Sequence, residues 1–183
     1  MSTCQTPHPA AEPAPKAAVA ATPFASCPSA ILAHLAKPET AVVFDVDGVL
    51  ARYEFGPLQH AAEVEGDWEA YVRENDPYRN VPPAPPLQRF IASKDPGKVF
   101  ACSVAAEYEE AGKRDFVLRH YAIPAENVLM VPSKAQKIAV LAQIARDQGL
   151  DLLQVALVED TVKTLDAAAA QGFAPCHVSS FLA

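Results

Sequence analysis

Positive charge is scarce in this chain. Its 183 residues carry 15 Lys and Arg against 22 Asp and Glu, a formal net charge of −7 at pH 7. The acids are spread along the chain, and no Lys/Arg-rich face can be drawn. Non-specific binding to nucleic acid draws on such a face, so nucleic acid is not an expected partner. Cysteine is sparse too: Cys4, Cys27, Cys102 and Cys176 show no C-x-x-C spacing and no alternation with histidine. That argues against a zinc site or a disulfide-stapled fold. Cys102, inside an apolar run, reads as a reduced, buried thiol. No run of 18 apolar residues occurs, so no membrane span is expected. The start, Met1-Ser2-Thr3-Cys4-Gln5, lacks the positive flank and apolar run of a signal peptide. These absences together predict a cytoplasmic protein without a membrane partner.

What is present points to one α/β domain. Half of the residues are hydrophobic and 20% are charged, and the length suits one full core better than two. Residues 1–30 contain nine Ala and six Pro. Prolines at irregular spacing remove amide donors and fix φ, which predicts a disordered leader over 1–30. A short helix is expected at about Ser29–Ala36, before Pro38 stops it. From residue 40 five short apolar runs read as strands: Thr40–Phe44, Lys98–Cys102, Asn127–Val131, Gln154–Val158 and Ala174–Val178. Helical segments Val104–His120, Ser133–Gln148 and Thr161–Gln171 lie between the later runs. Ser133 with Gln136 three residues on marks a helix start, and Gly172 marks a helix end. This alternation predicts a doubly wound parallel sheet in three α/β/α layers. Such a sheet carries its functional residues at the carboxyl ends of its strands.

Each of the first four runs ends in polar chemistry. The first ends in Phe44-Asp45-Val46-Asp47-Gly48-Val49-Leu50. Two carboxylates two residues apart can divide labour, one attacking while the other holds or delivers a proton. Gly48 lets the backbone turn sharply beside them; the plain alternative is an acidic turn or an ion-binding loop. The second run ends at Ser103, a hydroxyl expected at a helix start, which suits a phosphate oxygen or a simple helix cap. The third is followed by Lys134 and, one turn on, Lys137. A lysine in the first turn of a helix opposes the dipole, which suggests that its charge is used; the alternative is a solvated side chain. The fourth ends in Glu159-Asp160, adjacent acids that repel unless a cation or the following helix start compensates. Asp45, Asp160 and a backbone carbonyl would supply three oxygen ligands to a hard divalent ion. Asp160 also reads as a helix cap.

With these residues in order, the chain resembles the haloacid dehalogenase superfamily from about Thr40 to Val178. The first motif of that family matches Asp45 to Leu50, the second Ser103, the third Lys134 with Lys137 in reserve, and the fourth Glu159-Asp160. The resemblance implies a magnesium-dependent phosphohydrolase with a small phosphorylated substrate. Asp45 would attack phosphorus to form an aspartyl phosphate, and Asp47 would protonate the leaving oxygen and later activate water. Ser103 and Lys134, or Lys137, would hold the phosphoryl oxygens. Magnesium would sit among Asp45, the carbonyl of Asp47 and Asp160, with Glu159 nearby. Many members carry a further Asp or Asn separated from the last acid by three or four residues, where this chain has Thr164 and Leu165. The expected catalytic domain is 31–183, with a small cap inserted at about 51–86. That insert contains Tyr53, Phe55, Trp68, Tyr71 and Tyr78, expected to pack a lid more than to grip substrate. A phosphotransferase or mutase using the same site, and a non-catalytic binding protein with the same fold, are the competing readings.

Overall fold

The computed structural model describes residues 28–52 and 68–182. Five strands, β1 (Ala41–Phe44), β2 (Val99–Val104), β3 (Val128–Val131), β4 (Val155–Glu159) and β5 (Ala174–His177), form one all-parallel sheet in the order β3-β2-β1-β4-β5. The central strands β1 and β4 are buried along their whole length. Strands covered on both faces read as continuous apolar runs, which is how both appear in the sequence. Alternate residues feed two separate cores. Val42 and Phe44 point into one, and Ala41 and Val43 into the other.

The first core lies under helices α1 (Pro28–Leu35), α4 (Pro85–Ala92) and α5 (Glu107–His120), through Leu35, Leu87, Ile91 and Phe116. The second lies under α6 (Lys134–Gln148) and α7 (Val162–Ala170), through Leu141, Ile144, Leu165 and Ala168. The result is a three-layer α/β/α fold of the Rossmann-like kind. Two short helices, α2 (Trp68–Asn75) and α3 (Pro77–Asn80), belong to the segment between β1 and α4. Among the described residues, no helix is long and apolar enough to cross a membrane.

Several boundaries differ from expectation for local reasons. Strand β2 runs two residues further, because Ser103 and Val104 pair with Met130 and Val131, and α5 therefore starts at Glu107. The proline run Val81–Pro86 does not belong wholly to the insert. Pro85 and Pro86 open α4, where a missing amide hydrogen costs nothing. The neck of the insert is closed by an antiparallel bridge between Ala51 and Pro83 and by Arg52 N donating to Pro82 O at 3.0 Å. Tyr121 clips both sides of that neck. Its hydroxyl donates to Leu50 O at 2.6 Å and accepts from Ala84 N at 2.8 Å, and burial pushes its pKa up to about 12. The leader expected over 1–30 lies outside the described residues except for its last three, which begin α1. Tyr53 and Phe55 also lie outside them.

Candidate functional site

The chain leaves β1 toward β2 on one side of the sheet and later returns to β4 on the other. That reversal opens a crevice at the carboxyl ends of β1 and β4, the place where open parallel sheets bind ligands. Asp45 stands at its floor. The Asp45 amide donates to Val158 O at 3.0 Å, carrying the ladder one residue past Phe44. The chain then turns within a few residues: Ala51 N donates to Val46 O at 2.8 Å and Gly48 N to Ala51 O at 3.1 Å. Gly48 sits at φ 71, and a Cβ there would run into the Asp160 carboxylate, with its Cγ 2.8 Å away. Glycine is required on both counts.

The side chains at the first, third and fourth strand ends meet around one ammonium. Lys137 Nζ lies 2.9 Å from Asp45 Oδ2 and 2.8 Å from Glu159 Oε2, and is itself only 1% exposed. The second Asp45 oxygen, Oδ1, accepts from Val46 N at 2.8 Å. Glu159 Oε1 accepts from Thr161 N at 3.3 Å. Asp160 is exposed, accepts from Thr161 Oγ1 at 3.2 Å, and has its carbonyl 3.1 Å from His177 Nε2. The cap of α7 is accordingly Thr161, and Asp160 is left to face the crevice.

Of the two lysines, Lys137 is the one at the centre. Ser133 caps α6 through its Oγ, which accepts from Gln136 N at 3.3 Å, and this start sets the phase of the helix. Lys137 then points inward between the acids, and Lys134 stands exposed at the rim of the same cavity. Sequence spacing could not separate the two, because both lie on one helical face. Ser103 is buried at the cavity wall, and its hydroxyl has only a long 3.4 Å contact to Val104 O. It lies inside β2 and caps no helix. The cavity has a volume of about 280 Å³ and includes Asp45, Asp47, Ser103 and Asp160 in its lining.

Burial raises the Asp45 carboxyl from its usual 3.8 to about 6. The pull of Lys137 opposes this rise, and Glu159 and Asp47 add to it. For Lys137, burial works to lower the pKa, but Asp45 and Glu159 outweigh it and hold the ammonium charged. Cys102, on the neighbouring strand, is pushed up by burial to about 12. It is therefore a thiol at neutral pH.

The donor set fits a hard divalent cation. One oxygen each from Asp45, Glu159 and Asp160 lies within 4.8 Å of the others. Three carboxylates against one ammonium leave two negative charges, and all the donors are oxygen. Asp45 and Glu159 each already engage Lys137 and a backbone amide, and Glu159 is the more buried of the two, whereas Asp160 is exposed and in contact with neither. On α7, Thr164 is buried with its hydroxyl lacking a hydrogen-bond partner, Leu165 joins the core, and Asp166 is exposed.

Asp47 is held from the other side by residues to which the sequence assigned no part in the chemistry. Tyr78, on α3, donates its hydroxyl to Asp47 Oδ1 at 2.9 Å, and Lys113 Nζ, on α5, lies 2.7 Å from Oδ2. Lys113 is 2% exposed and is also 3.3 Å from Glu109 Oε1 and 2.7 Å from Val104 O. In the sequence, Glu109 and Lys113 at i,i+4 look like an ordinary solvated helix pair. Their burial comes from α3 packing onto α5, and no local pattern announces it.

Comparison with protein-family models, with curated proteins and with solved structures gives no significant match.

Proposed function

We propose that this protein is a magnesium-dependent phosphohydrolase of the haloacid dehalogenase superfamily, acting through an aspartyl phosphate on Asp45. The observation that carries the reading is the meeting of Asp45, Lys137, Glu159 and Asp160 at the switch point of a parallel sheet. Phosphoryl transfer asks mainly for positioning and for neutralisation of charge on the transferred group. Lys137 supplies one fixed positive charge beside the attacking carboxylate, and the Ser103 hydroxyl offers a buried donor to a phosphoryl oxygen. A magnesium ion held by Asp45, Asp160 and Glu159 would supply the remaining positive charge.

In the first half-reaction a carboxylate oxygen of Asp45 bonds to phosphorus as the bond to the leaving oxygen breaks. Asp47 gives that oxygen its proton. In the second half-reaction Asp47 takes a proton from water, whose oxygen attacks phosphorus and frees the Asp45 carboxylate. The substrate class is a small phosphate monoester.

The test is phosphate release from a panel of phosphorylated metabolites, with magnesium and with chelator. Release is expected only with the metal. Asp45→Asn should lower it by on the order of a thousandfold or more, as loss of a covalent nucleophile does. Near-wild-type release by that variant would remove Asp45 from the mechanism. Release that appears only when a second acceptor is added would favour the phosphotransferase reading. A folded chain inert throughout the panel would favour a binding role.

A further inference from the structure

Among the described residues, Asp47 is gripped by two donors, one on each oxygen, and both donors are themselves fixed. Tyr78 is 1% exposed, and its ring lies 5.7 Å from the Lys113 ammonium. Lys113 is tied to Glu109 and to the Val104 carbonyl, and Trp68 Nε1 in turn donates to Glu109 Oε1 at 3.2 Å. Glu109 Oε2 accepts from Ala106 N at 2.9 Å, which pins the carboxylate to the start of α5. The two buried lysines thus divide the carboxylates of the β1 loop, Lys113 engaging Asp47 and Lys137 engaging Asp45. A buried ammonium is costly unless it is paired, and each of these two lies between carboxylates. Here the geometry sets the plane and direction of the Asp47 carboxyl. Two of the participants, Trp68 and Tyr78, come from the segment between β1 and α4. That segment therefore reaches the proton-transfer residue directly.

We propose that Lys113 and Tyr78 are positioning residues that orient Asp47 toward the leaving oxygen, with Glu109 and Trp68 bracing Lys113. The proposal rests on the phosphohydrolase reading above and adds to it the residues that aim its acid. A general acid matters in proportion to the basicity of the leaving group, and such catalysis contributes roughly 10²–10⁴-fold where protonation is needed. An alkoxide needs the proton in the transition state, whereas p-nitrophenolate leaves without it. A residue that aims the acid should therefore show its effect on alkyl esters and little on p-nitrophenyl phosphate. A residue that merely supports the fold should affect both alike.

The experiment measures kcat/KM, which reports the first half-reaction, for 2-phenylethyl phosphate and p-nitrophenyl phosphate with magnesium present. The full chain is compared with Asp47→Asn, Lys113→Met and Tyr78→Phe. Lys113→Met is expected to lose at least about tenfold more on the alkyl ester than on the aryl ester, in the same direction as Asp47→Asn. Tyr78→Phe keeps the ring and removes only the hydroxyl, so it carries the test if Lys113→Met does not fold; its loss should be smaller but equally selective. Equal losses on both esters in a folded, active variant overturn the positioning role and leave the phosphohydrolase reading standing. A wild-type chain that releases phosphate from neither ester and from no member of the metabolite panel overturns that reading, and the positioning role with it.

Discussion

Asp45 and Lys137 pull against each other's solvation, and this opposition gives the site its sharpest expectations. Burial makes the charged Asp45 costly even with Lys137 at 2.9 Å, so its carboxyl titrates at about 6 instead of 3.8. The folded chain then binds a proton more readily than the unfolded chain. That stabilisation is complete below pH about 4 and is lost as the pH rises through about 6. Asp45→Asn mimics the neutral form, so in chelator it should be more stable than wild type at pH 7.5. The gain should reach up to about 3 kcal/mol, the free energy that corresponds to a carboxyl raised from 3.8 to about 6. The difference should shrink toward pH 4. Urea denaturation of both proteins at several pH values checks this, and a pH-independent difference would refute it. Lys137→Met should do the reverse. It leaves Asp45 and Glu159 buried without their cation, at a cost of roughly 3–5 kcal/mol in chelator. Millimolar magnesium should return part of that loss, because a second source of positive charge can enter.

At the scale of the element, the site exists because strand ends converge. Neither the β1 loop nor the end of β4 holds three carboxylates on its own, and the pairing of Phe44 with Val158 brings them together. The close approach of Gly48 to the Asp160 carboxylate couples the two loops. Magnesium binding to the folded chain should add RT ln(1 + [L]/Kd), about 2.7 kcal/mol at a hundredfold excess over Kd. Asp160→Asn should remove most of this gain. Glu159→Gln should remove less of it, because Lys137 and the Thr161 amide already occupy Glu159, although the variant should be less stable at the outset. Calorimetry up to millimolar magnesium measures both effects. No heat of binding, together with unchanged activity in chelator, would end the metal-dependent reading. The α6 start was readable in advance because a capping serine acts locally, through an amide three residues away. The end of β2 was not, since Val104 continues as strand only because Val131 lies beside it.

Across the whole molecule, α1 packs Ile31 and Leu35 into the first core, so this helix belongs to the folded unit. Residues 1–27 precede it, and their prolines and lack of apolar periodicity leave little to bury. Deleting them should leave the melting temperature and phosphate release unchanged. A fall of several degrees would show that they pack on the domain. The order of the strands and of the helices after β2, the parallel sheet and the polar strand ends were all determined by the sequence itself, since each follows from short-range hydrophobic pattern, turn residues and caps. Asp45, Asp47, Ser103 and Glu159-Asp160 stood out for that reason. Three matters were decided only by tertiary structure. The choice between Lys134 and Lys137 depended on which turn of α6 faces the buried acids. The engagement of Asp47 by Tyr78 and Lys113 depended on α3 lying against α5. The raised pKa of Asp45 depended on how completely the sheet and its two helix layers exclude water from one carboxylate. Each of these is a long-range effect of burial, and burial is a property of the assembled layers that no stretch of sequence carries alone.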